Sequence, residues 1–431
     1  MKRREQPQLP CLTEVESDRL SCLPGHVIDH ILSHLSIREA VRTSVLSSRW
    51  RYKWSTLPNL VFDNQCLPIS SQDHSIIKNK LVRIIDHVLL LHSGVINKFK
   101  LSHRDLIGVT DIDRWTLHLT RRSVKELVLE IWKGHRYKIP SCLFTCQSLI
   151  YLELFNCWLK PPSTFLGFRN LKSLDLQHVT MDQDVFENLI SNCPLLERLT
   201  LMNFDGFTHL NIDAPNLQFF DIGGKFEDVR FENTFHLAVV SIGLYLNLEN
   251  EKNRWQGSSS NLLKFFVHLP HVRRLEVQSY FLKYLAVGVV PLKLPRPCID
   301  LTYLSIRINF NDSKEISASL CLLRSSPNLQ ELEVLARTEE QQTTLGTQAY
   351  CWEDEYWNCK VMQLQFVRID GISGIKPELD FISFLLLYSP VLERMTVKPA
   401  PAPSNGGSEL MKELLRFRRA SGRAEIIYLD P

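Results

Sequence analysis

One short apolar phrase recurs along this chain and constrains its fold more than anything else. "LIYLELFNC" (149–157), "LKSLDLQHV" (171–179), "LERLTLMNF" (196–204), "VRRLEVQSY" (272–280), "LTYLSIRIN" (301–309) and "LQELEVLAR" (329–337) share one spacing of apolar residues. Looser copies sit at 96–104, 124–132, 217–225, 237–245, 361–369 and 392–400. Their central residues are Phe99, Leu127, Leu152, Leu174, Leu199, Phe220, Val240, Leu275, Leu304, Leu332, Leu364 and Met395, mostly 20 to 32 residues apart. A chain of 431 residues is long for one ordinary core, and a repeat removes that difficulty. Each unit is too small to close a core of its own, so neighbours must stack.

The period suits leucine-rich repeats. A second signature, Pro-x-Leu-x-x-apolar-x-apolar, occurs at "NCPLLERLTL" (192–201), "SSPNLQELEV" (325–334) and "YSPVLERMTV" (388–397), each after an apolar helical run. The unit therefore reads as helix, proline stop, strand. The expected architecture is α/β: a curved solenoid with one parallel strand plus a helix or loop per repeat.

Strand side chains alternate between two faces. With Leu152 and Leu154 inward, Tyr151, Glu153 and Phe155 face the concave side. The same step along the repeats selects Asp175, Gln177, Arg198, Thr200, Phe219, Asp221, Arg274, Glu276, Tyr303, Arg307, Glu331 and Glu333 as target-binding candidates. This face is polar and aromatic with no dominant sign of charge. It suits protein recognition, or a polar small ligand, better than a phosphate backbone.

Ahead of the repeats lies a small apolar module. Val27, Ile28, Ile31, Leu32 and Leu35 recur at helical spacing behind Pro24. Ser36-Ile37-Arg38-Glu39 reads as a capping box opening a second helix, and "RWRYKW" (49–54) forms a third short segment. Three such helices bury little area, and the apolar residues outnumber what they can hide. Part of that surface should meet a partner or the following domain.

Asp18 to Asp63, from the Leu23-Pro24 pair to "VLSSRWRYKW" (45–54), resembles a plant F-box. The resemblance implies that the module binds a Skp-type adaptor and through it a cullin. It assigns Leu20, Leu23, Pro24, Ile28, Ile31, Leu32, Leu35, Val45 and Trp50 to the adaptor-facing or module-core pattern. "PGH" at 24–26 departs from the acidic residues usual after that proline. The stretches 350–374, 378–397 and 414–430 resemble an FBD domain, so the whole is similar to plant F-box/FBD/leucine-rich-repeat proteins. The expected division is a disordered basic tail (1–16), the F-box module (17–63), a linker helix (64–95), the solenoid (96–340) and FBD-like terminal repeats with a cap (341–431).

Little in the sequence supports covalent chemistry. His26, His30 and His34 fall at i, i+4 and i+8, but no Cys or carboxylate completes a metal set. His268 and His271 lack an HExxH context, and "GISG" (371–374) reads as a turn rather than a nucleophile elbow. "WEDEYW" (352–357) could bind a basic peptide but reads better as a capping loop with anchoring tryptophans. No cofactor, metal or catalytic residue is expected. A net charge of +3 gives no general attraction to nucleic acid. The longest apolar runs are too short for a membrane span, and no h-region follows "MKRRE". Eleven cysteines without framework spacing suit a reducing compartment, cytoplasmic or nuclear.

The resemblance thus implies a non-catalytic, substrate-recognition subunit of a Skp-cullin-F-box type ubiquitin ligase. The module would bind the adaptor and the solenoid a target protein. The alternative is a leucine-rich-repeat scaffold or inhibitor that recruits no ligase.

Overall fold

The computed structural model describes residues 20, 22–66, 74–104, 111–245, 260–267, 269, 271–337, 362–401 and 407–430, with backbone alone for 74, 75 and 407–409. The amino-terminal tail, most of the insert at 246–261 and the "WEDEYW" stretch lie outside these residues. Among them, fourteen strands form one open sheet in chain order: Asn59–Asp63, Lys98–Ser102, Glu126–Glu130, Tyr151–Phe155, Ser173–Gln177, Arg198–Met202, Phe219–Gly224, Val239–Leu244, Arg274–Ser279, Tyr303–Ile308, Glu331–Ala336, Phe366–Ile372, Arg394–Pro399 and Glu425–Tyr428. Every pairing is parallel. The end strands leave the sheet unclosed.

The register explains the repeat. Leu127, Leu152, Leu174 and Leu199 pair in one row. Leu129, Leu154, Leu176 and Leu201 pair in the next. All eight are at most 1% exposed. Burying each leucine contributes about 2 kcal/mol, so the stack of like side chains supplies the core that no single unit has. Helices Gln183–Ser191, Ser313–Arg324 and Lys376–Tyr388 end shortly before Pro194, Pro327 and Pro390, as the proline signature predicts.

Four differences from the sequence reading have physical causes. Leu364 is not the central residue of its unit: Val367 pairs with Leu332 and Met395, and buried Leu364 is the leading apolar residue three places earlier. "VMQLQFVRI" supports both alignments, and register decides. Asn59–Asp63, which the sequence division puts in the F-box module, pairs with Lys98–Ser102 as the first strand of the sheet. Helix His74–Leu91 then connects two adjacent strands, so it is the helix of a first repeat instead of a separate linker. Asp86 on it accepts from Arg114 and from the Trp115 indole, both at 2.7 Å. Finally, two consecutive repeats each contribute a strand to a second ladder, His209–Asp213 beside Asp228–Glu232, where a helix or loop is expected.

Gly167 shows how tightly the units stack. Its φ is +81°, and a Cβ there would stand 1.9 Å from the carbonyl oxygen of Asn192 in the next unit. Gly167→Ala is expected to cost on the order of 2–3 kcal/mol. An unchanged urea midpoint would contradict this packing.

Candidate interaction surfaces

The amino-terminal module consists of helices Gly25–Ser33 and Ile37–Arg42 followed by 3-10 turns at Thr43–Val45 and Lys53–Thr56. The third segment is therefore not an α-helix. The capping box forms as read: the Glu39 amide donates to Ser36 Oγ at 3.3 Å, and the Ser36 amide donates to Glu39 Oε2 at 3.1 Å. The hydrogen bonds from Ser36 hold the Glu39 carboxyl below its ordinary value.

The residues assigned to the adaptor split into two sets. Ile28, Leu32 and Trp50 are 0–2% exposed in the module core with Ile37, Ala40 and Trp54. Nothing of them is left for a partner, so they are core and not contact residues. The indole of Trp50 donates to the Leu20 carbonyl at 3.1 Å, which ties the chain start to the core. Leu20, Pro24, Ile31 and Val45 are exposed, Val45 by 88%, while Leu23 and Leu35 are half-buried. Pro24, Val27 and Ile31 flank the buried Ile28-Leu32 stripe, so the first helix has an apolar arc wider than its own core covers. Leu46 and Tyr52, which the sequence reading missed, add exposed apolar surface. Helical periodicity stops at Arg42, so it could not place them.

His26, His30 and His34 stay on the exposed side, with His30 and His34 in edge contact at 4.7 Å. A Cβ on Gly25 would meet Lys53 Nζ at an ordinary 3.4 Å. The "PGH" departure is therefore not required by space. Gly25→Asp places a carboxylate in the first helical turn and beside Lys53, and is expected to stabilise the module by about 0.5 kcal/mol. A lowered urea midpoint would show that Gly25 has a role missed here.

The module is fastened to the sheet. The Ser93 amide donates to the Ser55 carbonyl at 2.9 Å, and buried His92 donates from Nε2 to the Leu57 carbonyl at 2.8 Å. Burial holds His92 below its ordinary value.

On the open face of the sheet, the candidate residues line up in rows that the sequence could not show. Tyr151, Arg198, Phe219, Arg274, Tyr303 and Glu331 belong to the first row. Glu153, Asp175, Thr200, Asp221, Glu276 and Glu333 belong to the second. Phe155 and Gln177 lie in a third, and Arg307 lies further along its own strand, paired with Leu335. Charge is thus sorted by row, with the second row acidic over its middle. The arginines of the first row are committed: Arg198 covers the Phe219 ring at 3.9 Å, and Arg274 covers Tyr303 at 3.6 Å while bonding Glu276 at 2.8 Å. Tyr151 donates to Glu153 at 2.7 Å and Tyr303 to Glu333 at 2.6 Å. Burial raises Asp175 to about 6; the Gln177 amide opposes the rise, and Glu153, Asp221 and Glu130 add to it. A hollow of about 310 Å³ opens at one end, lined by Lys98, Lys100, Tyr151, Glu153 and their neighbours. No group of three or more metal-ligating side chains occurs among the described residues.

A helical module with uncovered apolar surface is thus fixed to an open parallel-strand repeat sheet. Family comparison agrees with that division. Residues 20–62 match the F-box domain, and residues 112–334 match the leucine-rich repeats of the FBD-associated F-box protein At5g56370. The chain is 43% identical over 415 residues to the Arabidopsis thaliana F-box/FBD/LRR-repeat protein At1g13570, covering 96% of this chain and 99% of that one. The Arabidopsis F-box/FBD/LRR-repeat protein At5g53840 is 27% identical, covering 89% and 88% of the two chains. The Arabidopsis F-box/LRR-repeat protein At3g59200 is 26% identical, covering 96% and 88%. The chain belongs to the F-box/FBD/LRR-repeat family. F-box domains generally bind Skp-type adaptors, and the F-box and repeat names of the family suggest an adaptor role.

Proposed function

We propose that this protein is the target-recognition subunit of a Skp-cullin-F-box type ubiquitin ligase. The exposed flank of the module, Leu20, Pro24, Ile31, Val45 and Leu46, seats on the adaptor, which links it to a cullin. The open sheet face holds a target protein. The carrying observation is the apolar surface left uncovered on a module whose core is already complete. Continuity supports the mechanism: module and sheet share hydrogen bonds at Ser55–Ser93 and Leu57–His92, so a held target keeps a defined position relative to the adaptor. No residue of this chain needs to form or break a covalent bond. A cytoplasmic or nuclear site of action follows from that role.

The test is capture of the tagged full-length chain from plant cells. Adaptor and cullin should be recovered together, and an Ile31→Asp/Val45→Asp variant should lose both while retaining and accumulating the target. Recovery of a target without any adaptor, by wild type and variant alike, would favour a scaffold that recruits no ligase.

A further inference from the structure

Three carboxylates in the second row of the sheet face form no ion pair among the described residues. Glu153 and Asp175 are register neighbours, and Asp221 follows after Thr200. Among the described residues, no Lys, Arg or His nitrogen lies within 4.0 Å of any of the three. Their hydrogen-bond partners are neutral: the Tyr151 hydroxyl, the Gln177 amide and the Ser241 hydroxyl. Lys100, in the same row, lies two strands from Glu153 and is already 3.1 Å from Glu130.

A second feature brackets the same stretch. Phe155, two residues along the strand from Glu153, packs at 4.5 Å on Trp132, which is 48% exposed. At the other end the Tyr245 ring lies across Gly223, two residues beyond Asp221: a Cβ on Gly223 would stand 2.5 Å from the Tyr245 hydroxyl. An exposed aromatic thus flanks the row at each end, and carboxylates and ring faces both attract cations. The two ends are three strand spacings apart, roughly 14 Å. Residues i and i+4 of an extended peptide point to one side and span about the same distance, with i+2 between them.

We infer that this stretch of the sheet face is the docking site for an extended, basic segment of the target protein, with Lys or Arg at alternate positions facing Glu153, Asp175 and Asp221. The inference rests on the reading of the sheet face as the target surface and names the chemistry of what it takes. The charge is local, since the chain as a whole carries only +3 and would repel a basic peptide weakly. Placing three like charges together in a half-buried row works against folding, and a cationic partner relieves that.

The experiment is fluorescence anisotropy on the full-length chain with a fluorescein-labelled decapeptide of alternating Lys and Ser. The same peptide with Glu for Lys is the control. Wild type should bind the Lys peptide, weaken as salt rises and ignore the Glu peptide. Asp175→Asn/Asp221→Asn should bind at least about tenfold more weakly, with a melting temperature equal to or above wild type. Equal binding of the Lys peptide by wild type and variant, no binding by wild type, or equal binding of the Glu peptide overturns the inference. A drop in melting temperature in the variant would also overturn it, since the row would then be structural. Adaptor capture by the same variant separates the two readings: capture retained with peptide binding lost supports both, and capture absent in wild type strikes only the ligase role.

Discussion

Ile31→Asp with Val45→Asp is expected to abolish capture of a Skp-type adaptor while leaving the urea midpoint of the protein within error of wild type. Both side chains are exposed, Val45 by 88% and Ile31 by 36%, so a carboxylate at either position stays in water in the free protein. In a complex the same carboxylates would be buried against apolar surface without a partner, which costs several kcal/mol each. The converse holds one position along the helix. Leu32 is 0% exposed, and Leu32→Ala should cost about 3 kcal/mol through the cavity it leaves in the module core. Adaptor capture and denaturant unfolding, measured on both variants, check the pair. If the exposed double variant still captured the adaptor, the docking flank would have to lie elsewhere on the module.

The second large effect is expected at a buried ion pair late in the repeats. Glu315 lies in the first turn of helix Ser313–Arg324 and is 0% exposed; Arg337 directly follows strand Glu331–Ala336 and reaches back across two units. The Arg337 guanidinium donates to Glu315 at 2.6 Å and to the Ser279 carbonyl at 2.8 Å, and lies 4.2 Å over the Tyr280 ring. The second Glu315 oxygen accepts from the Asn309 amide at 2.9 Å. Removing one partner of such a pair leaves a buried charge without compensation, so Arg337→Met should cost about 3–5 kcal/mol. Adding Glu315→Gln to that variant should recover much of the loss, because the double change removes the stranded charge as well.

The pair also sets a pH dependence. Burial pushes the Glu315 carboxyl up from 4.5 to about 7, against the pull of Arg337 and the Asn309 amide. A carboxyl raised on folding binds more protons folded than unfolded. Its contribution is therefore complete below its ordinary value and is lost as pH rises through the folded one. Without Arg337 the carboxyl rises further, so the deficit of Arg337→Met should be smaller at pH near 5 than near 8. Urea midpoints of wild type and variant at the two values decide it, and an equal deficit at both would show that Glu315 does not sense the pair.

How much of this was readable beforehand divides along physical lines. The leucine phrase carried the fold because burial demands one residue type at two fixed positions per unit, and those positions are visible in any single unit. Val367 escaped because "VMQLQFVRI" satisfies the pattern in two frames, and only pairing with Leu332 and Met395 selects one. The strand Asn59–Asp63 escaped for a related reason: its neighbours resemble a different module, so its match to the repeat at Leu57, Leu60 and Phe62 was absorbed by the stronger local signal. Among the target-facing candidates, alternation put all fifteen on one face. It could not show that their charges sort into rows, because rows arise from register between units 20 or more residues apart. In the module, family resemblance named Ile28, Leu32 and Trp50 together with Ile31 and Val45. Resemblance reports which residues matter, while only burial tells whether they matter to the core or to the interface.

Hydrogen exchange on the full-length chain, with and without a purified Skp-type adaptor, tests the central claim most directly. The account predicts new protection at residues 20–46, centred on Ile31 and Val45, and unchanged exchange along the open sheet face from Tyr151 to Arg307. Protection on that face instead, or no change anywhere at saturating adaptor, would contradict it.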